Sequence, residues 1–357
     1  MRFAGRLLVT GALFLVLAQS LAAAARPAAA PRADPPPTAV KPGPAGIVCL
    51  LDVDRPDHPL RHLEQQPCWK NPNVAGVRLR SRWDKIEKVE GKFDWALLDQ
   101  AVVLARQHHK RLGLSVAAGI ATPEWVYQAG AARFALTVRS NVKQQRAVMP
   151  LPWDKVALRK WKVFVQAMGS RYDGSPQVAY VVLGGVGYSI ETVLVRTDED
   201  RARFDAAGGV ARWVKCTEQV IDTYAAAFPH TAVLLSAAPV LRGRDGEPPF
   251  REVVRHGISS YRGRFGVMNC GLTATSGSRF YINRTIRSLA DQTPVGFQMV
   301  WSTKGKGAQL LKGTLAEALD RGVQLKAHFV EVYQEDCRNP AYADELRKAG
   351  ARLNGRK

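Results

Sequence analysis

The chain has 357 residues, with 51 Lys+Arg against 31 Asp+Glu for a formal charge of +20, and 46% of its residues are hydrophobic. That length holds one large domain or two ordinary ones, and the apolar share excludes a chain that is disordered throughout. The surplus charge points to a polyanionic partner (nucleic acid, anionic lipid or acidic polysaccharide) and leaves the fold open.

Residues 1–25 have the layout of a secretory signal peptide: Arg2 and Arg6, an apolar run from Leu7 to Leu17, then small residues around Ala23 to Ala25. The run is too short and Ala-rich for a permanent span, and no later stretch of about 18 uncharged apolar residues follows. Residues 26–46 hold seven prolines among alanines, which blocks helix and sheet and favours an extended linker. Residues 47–357 are the expected folded domain. The first 46 residues carry five basic side chains and one acid, so the domain retains +16 of the +20. A secreted or periplasmic location makes nucleic acid a poor partner and favours an anionic glycan. Oligomeric state is not readable.

After the linker, short β-rich runs alternate with longer amphipathic ones. Strands are expected at 47–53, 76–80, 112–117, 178–183, 232–237, 265–270, 295–300 and 328–333. Helices are expected at 95–108, 154–172, 211–228, 282–290 and 310–321. Several strand runs are apolar almost throughout, as in a parallel sheet covered on both faces. Eight such units match a (β/α)₈ TIM barrel. The competing doubly wound sheet lacks its Gly-x-Gly-x-x-Gly turn, since 47–56 contains no glycine. The basic run 139–146 reads as a solvated face.

The five cysteines are an odd number. Cys49, Cys216 and Cys270 lie in apolar surroundings, and Cys68 with Cys337 is the favoured disulfide. No Cys-x-x-Cys or His-x-x-x-His spacing occurs, and the adjacent His108 and His109 do not share a helical face, so neither metal nor cofactor is expected. No Gly-x-Ser-x-Gly elbow points to a serine hydrolase.

In a TIM barrel the chemistry sits at the C-terminal strand ends. Those ends supply Asp52 and Asp54; Arg78, Arg80 and Trp83; Thr122, Glu124 and Trp125; Tyr188 and Glu191; Pro239 and Arg242; Asn269; Gln298 and Trp301; and Glu331, Glu335 and Asp336. Three tryptophans at strand ends fit sugar stacking, because a sugar's apolar face lies well on an indole. The other five read as core. Glu331 alternates with Phe329 and Tyr333, so it either points into the barrel mouth or forms a structural ion pair with Arg78 or Arg80.

The passage Gly76-Val-Arg-Leu-Arg-Ser-Arg-Trp83-Asp-Lys-Ile-Glu87-Lys-Val-Glu-Gly91-Lys-Phe-Asp-Trp95, followed by Thr122-Pro-Glu-Trp125, resembles the second and third strands of glycoside hydrolase TIM barrels of the retaining clan, especially the β-galactosidase-like group. The likeness covers roughly fifty residues closely and the rest of the domain by strand count. It implies an acid/base glutamate beyond the fourth strand, matched by Glu191, and a nucleophile glutamate at the end of the seventh, where Gln298 stands instead. An amide cannot attack an anomeric carbon as a carboxylate does. The expected site is therefore Glu191 as general acid/base and Glu331 as second carboxylate, with Arg78 and Arg80 beside it. Trp83, Trp125, Tyr188, Gln298 and Trp301 are the expected substrate contacts. The expected activity is hydrolysis of O-glycosidic bonds in a poly- or oligosaccharide. The alternatives are a non-catalytic carbohydrate-binding barrel and a structural envelope protein.

Overall fold

All eight runs read as barrel strands become parallel strands of one closed barrel in a computed structural model, which describes residues 39–52, 62–140, 143–241, 243–305 and 307–354. The leader, most of the linker, Asp54 and Arg242 lie outside the described residues. The first three strands are β1 (Gly46–Asp52), β2 (Gly76–Arg82) and β3 (Arg111–Ala117). An antiparallel hairpin, β4 (Phe134–Ser140) and β5 (Lys143–Met149), interrupts the alternation. The barrel resumes with β6 (Val178–Val182), β7 (Ala232–Ala237), β8 (Phe265–Leu272), β9 (Val295–Met299) and β10 (Phe329–Tyr333). The ring order is β1-β10-β9-β8-β7-β6-β3-β2, a (β/α)₈ TIM barrel. β6, β9 and β10 are thus its fourth, seventh and eighth strands.

The helices are α1 (Trp83–Ile86), α2 (Ala96–Gln107), α3 (Glu124–Gln128), α4 (Lys155–Tyr172), α5 (Asp198–Ala206) and α6 (Gly209–Ala227). They continue with α7 (Glu247–Ser260), α8 (Tyr281–Leu289), α9 (Leu315–Gln324), α10 (Gln334–Cys337) and α11 (Ala343–Asn354). Their starts follow local chemistry: Asp154 accepts from the backbone of Val156 and Ala157, and Thr314 with Glu317 forms a capping box before α9. No helix among the described residues is long and apolar enough to cross a membrane.

The basic run 139–146, read as a solvated face, lies within the β4–β5 hairpin. The Cys68–Cys337 disulfide is not formed; the five cysteines are free thiols. Cys68 and Cys337 are buried rather than on open loops, and both meet the Cys49 thiol of β1. Burial and these two neighbours push the Cys49 thiol well up. Within the Pro/Ala-rich stretch, Lys41 is buried against the barrel: its backbone N–H donates to His230, and Nζ donates to the carbonyls of Asp173 and Ser175.

The barrel interior is polar as well as apolar. Arg78, Tyr180, Met268 and Glu331 come from β2, β6, β8 and β10, alternate strands of the ring, and meet in one layer. Room for it comes from glycine: a Cβ at Gly113 would lie 2.2 Å from the Tyr180 ring.

Candidate active site

Above that layer, at the C-terminal ends of the strands, a cleft of about 700 Å³ opens. Its walls include Asp52, Arg80, Tyr188, Glu191, Gln298, Trp301 and Tyr333, so five of the nine site residues expected from sequence line it. Asp52, named at the end of the first strand but given no role, and Tyr333, not named as a candidate, also line the cleft.

Glu191 is positioned by its own loop and by β7. It bridges to Ser236; next to it Thr192 donates its N–H to the Ser236 carbonyl at 3.0 Å, and Ala238 N–H donates to the Thr192 hydroxyl at 2.8 Å. The glycines before it let this loop fold on itself, since a Cβ at Gly187 would lie 2.0 Å from the Glu191 carbonyl oxygen. Tyr188 lies beside Glu191; burial first and the Glu191 carboxylate second push its phenol up, so it stays a protonated donor. The same two causes push the Cys270 thiol to about 12, which removes it as a nucleophile.

Asp52 enters from β1 on the other side. Arg80 donates Nη1 to Asp52 Oδ2 at 3.1 Å and Nη2 to Gln298 Oε1 at 2.8 Å. Gln298 also accepts from Arg78 Nη1 at 3.4 Å and donates Nε2 to the Tyr333 hydroxyl at 3.1 Å. Its amide therefore uses both ends, oxygen toward two cations and nitrogen toward a phenol.

Glu331 takes the ion-pair alternative and does not line the cleft. It is fully buried in the layer beneath, paired to Arg78 and accepting from the Tyr180 hydroxyl at 2.7 Å. Burial and Glu331 push the Tyr180 phenol well up, which keeps that donor in place. Arg78 is equally buried, donating Nε to Ser115 Oγ at 3.1 Å, and does not reach the cleft. The cause is its place along β10: Glu331 lies two residues before Tyr333, the last residue of the strand, which lines the cleft. Glu335 and Asp336 are also buried, and Asp336 accepts from Thr303 in the loop after β9.

Of the three tryptophans expected to meet sugar, only Trp301 lines the cleft. A Cβ at Gly307 would sit 2.5 Å from its ring, so glycine there admits the indole. Trp83 is core, 1% exposed, donating Nε1 to Glu87 Oε2 at 2.7 Å. Trp125 packs edge-on against it, with ring centroids 5.9 Å apart, and donates to the Glu87 carbonyl at 2.9 Å. The Trp83-to-Trp95 passage thus builds a buried corner around Glu87, whose carboxyl burial pushes up, rather than a sugar platform. Among the described residues no three His, Cys, Asp or Glu side chains gather as a metal site.

No protein-family model matches the sequence, and no curated protein sequence matches it. Solved structures do. The chain is similar to the β-galactosidase of the psychrophilic Marinomonas ef1, with TM-score 0.54, 11% identity, and 86% of this chain and 59% of that one covered. It is also similar to the polyextremophilic β-galactosidase of the Antarctic haloarchaeon Halorubrum lacusprofundi, with TM-score 0.52, 14% identity, and 86% and 58% covered. The chain spans about three fifths of the length of these enzymes. The likeness shows a shared TIM-barrel fold.

Proposed function

We propose that this chain is an exported glycoside hydrolase, its leader at 1–25, which cleaves O-glycosidic bonds in the cleft with Glu191 as general acid. The observation that carries the reading is the pair of carboxylates lining that cleft, Glu191 and Asp52, with neutral Gln298 at the seventh barrel strand. In this reading Asp52 replaces Glu331 as second carboxylate.

Gln298 offers no carboxylate for a covalent glycosyl intermediate, so the attack falls to water. Asp52 takes a proton from that water as its oxygen joins the anomeric carbon; Glu191 gives its proton to the departing glycosidic oxygen as the old C–O bond breaks. With the attack assigned to water the reaction inverts, and the mechanism requires the Asp52 and Glu191 carboxyl groups to stand about 6.5–9.5 Å apart, wide enough to hold that water. Trp301 supplies the apolar platform, and Tyr188 and Asn269 supply polar contacts.

The test is turnover of a glycoside panel by wild type, Glu191→Gln and Asp52→Asn, with the product anomer followed by proton NMR. Both variants are expected to lose turnover while still binding, and the wild-type product to show inverted configuration. Unchanged turnover in Glu191→Gln overturns the assignment. Saturable binding of sugar without any turnover would leave a carbohydrate-binding barrel.

A further inference from the structure

The charges of the cleft divide unequally. Its lining carries the cations Arg80, Arg196 and Lys312 against the carboxylates Asp52 and Glu191. Arg80 is taken by Asp52 at 3.1 Å. Arg196 and Lys312, by contrast, have no carboxylate within ion-pair distance among the described residues, although ion pairs are abundant elsewhere on this surface.

Arg196, in the loop after β6, is held without being neutralised. Its Nη2 donates to the Tyr188 hydroxyl at 3.4 Å, the guanidinium stands 5.9 Å over the Tyr188 ring, and its buried Nε has no acceptor. Arg196 is half-buried and lines the cleft, so an anion bound there meets a guanidinium that no carboxylate neutralises. Lys312, in the loop after β9, is exposed and closes the 3₁₀ turn Ala308–Leu311 with φ of 56°, a left-handed conformation that glycine adopts without strain and lysine does not. The turn is anchored by the Ala274 N–H donating to Leu311 at 2.9 Å, which fixes where the lysine leaves the backbone. A guanidinium with free edges and an ammonium at one cleft match a carboxylate or sulfate, which accepts several charge-assisted hydrogen bonds.

We propose that the cleft selects a glycan bearing an anionic substituent, a uronate carboxylate or a sulfate ester, which Arg196 and Lys312 bind. The inference rests on the cleft being a carbohydrate site but needs no turnover there. It narrows the net charge of the molecule to two named side chains.

The experiment is calorimetric titration of the full chain carrying Glu191→Gln, which prevents turnover. The probes are a short oligogalacturonate, the same oligosaccharide with its carboxyls reduced to alcohols, and a sulfated oligogalactoside. The expected result is at least one anionic probe binding about tenfold or more tighter than the reduced one at about 0.05 M salt, with the ratio falling toward unity at about 0.5 M. Whichever anionic probe binds tighter identifies the substituent as carboxylate or sulfate. Arg196→Gln and Lys312→Gln each reduce the ratio several-fold; Lys312 is exposed, so its variant reads binding without a folding defect. Arg255→Gln, on the outer face of α7, leaves the ratio as it was. Equal affinities for all three probes overturn the proposal, as does collapse of the ratio in Arg255→Gln alone. Charge-dependent cleft binding by a wild-type chain that hydrolyses nothing would sink the hydrolase reading and keep this one; turnover of neutral glycans with equal affinities would do the reverse.

Discussion

Arg80 donates to the side-chain oxygen of Gln298 at 2.8 Å, and that contact makes the amide a working member of the barrel interior. Two guanidiniums, Arg78 and Arg80, face the same oxygen. Their charges are already matched by Glu331 and Asp52. A neutral acceptor at 298 leaves this set balanced, and the amide nitrogen adds a donor for Tyr333 that a carboxylate lacks.

Changing Gln298 to Glu keeps the shape and adds a negative charge where two arginines converge. The protein is expected to fold, with the Tyr333 hydroxyl turning from acceptor to donor. Placed at the seventh barrel strand, the new carboxylate is expected to hydrolyse activated aryl glycosides with retention, seen as the product anomer by NMR. Gln298→Leu instead removes the acceptor of Arg80 Nη2 and the amide donor to Tyr333, and should lower stability by about 1–3 kcal/mol in urea denaturation. Equal stability of the Leu variant and wild type would show that the network contributes nothing.

The Arg78–Glu331 pair makes a separate prediction because both side chains are fully buried. Glu331→Gln leaves a buried guanidinium uncompensated and should cost about 3–5 kcal/mol. The double change Arg78→Met with Glu331→Leu removes the charge from both sides and should recover most of that loss. Denaturation of Arg78→Met, Glu331→Leu and the double closes the cycle and measures the coupling. A Glu331→Gln variant that keeps its stability but loses catalysis would return Glu331 to the chemistry.

The barrel itself was legible because its strands are covered on both faces, so runs such as 178–183 and 232–237 are apolar almost throughout. The β4–β5 hairpin was not, because 139–146 is charged and shows no apolar run. α7 and α11 escaped for a related reason: one begins Glu-Pro-Pro and both carry many charges on their outer faces. Of the residues that line the cleft, Glu191, Arg80, Tyr188, Gln298 and Trp301 followed from strand-end position. Glu331 turned on its place along the strand: two residues along β10 separate a buried ion pair from the cleft-lining Tyr333. Trp83 and Trp125 stand just past strand ends in the chain, yet their indoles turn to Glu87, a direction that spacing does not encode. Arg196 and Lys312 lie on irregular loops, where no periodicity marks them.

Trp301 and Trp125 are equivalent in the sequence and different in the structure. Trp301→Ala removes an aromatic wall of the cleft and is expected to weaken oligosaccharide binding by about tenfold. Trp125→Ala strips the hydrogen bond to the Glu87 carbonyl and the packing on Trp83, so it should lower the melting temperature and leave affinity near wild type. Titration and thermal unfolding of both variants decide this; weaker binding in Trp125→Ala at unchanged stability would restore its place in the site.

Lys41 gives a pH dependence with a defined sign. Burial, only partly offset by Asp173, lowers its ammonium from 10.5 to about 8 in the folded chain. Below pH 8 both folded and unfolded chains hold the proton, and the folded state bears the full penalty of a buried cation. Between about 8 and 10.5 the folded chain has released a proton that the unfolded chain still binds, so stability rises with pH. Above that window both are neutral and the rise ends. Lys41→Met removes the titration, so the stability of wild type minus that of the variant should climb across the window, at no more than about 1.4 kcal/mol per pH unit. Other groups titrating in this range cancel in the difference. Denaturation of both proteins at several pH values from 7 to 10.5 tests it; a flat difference would mean that Lys41 is solvated, with residues 39–46 not held against the barrel.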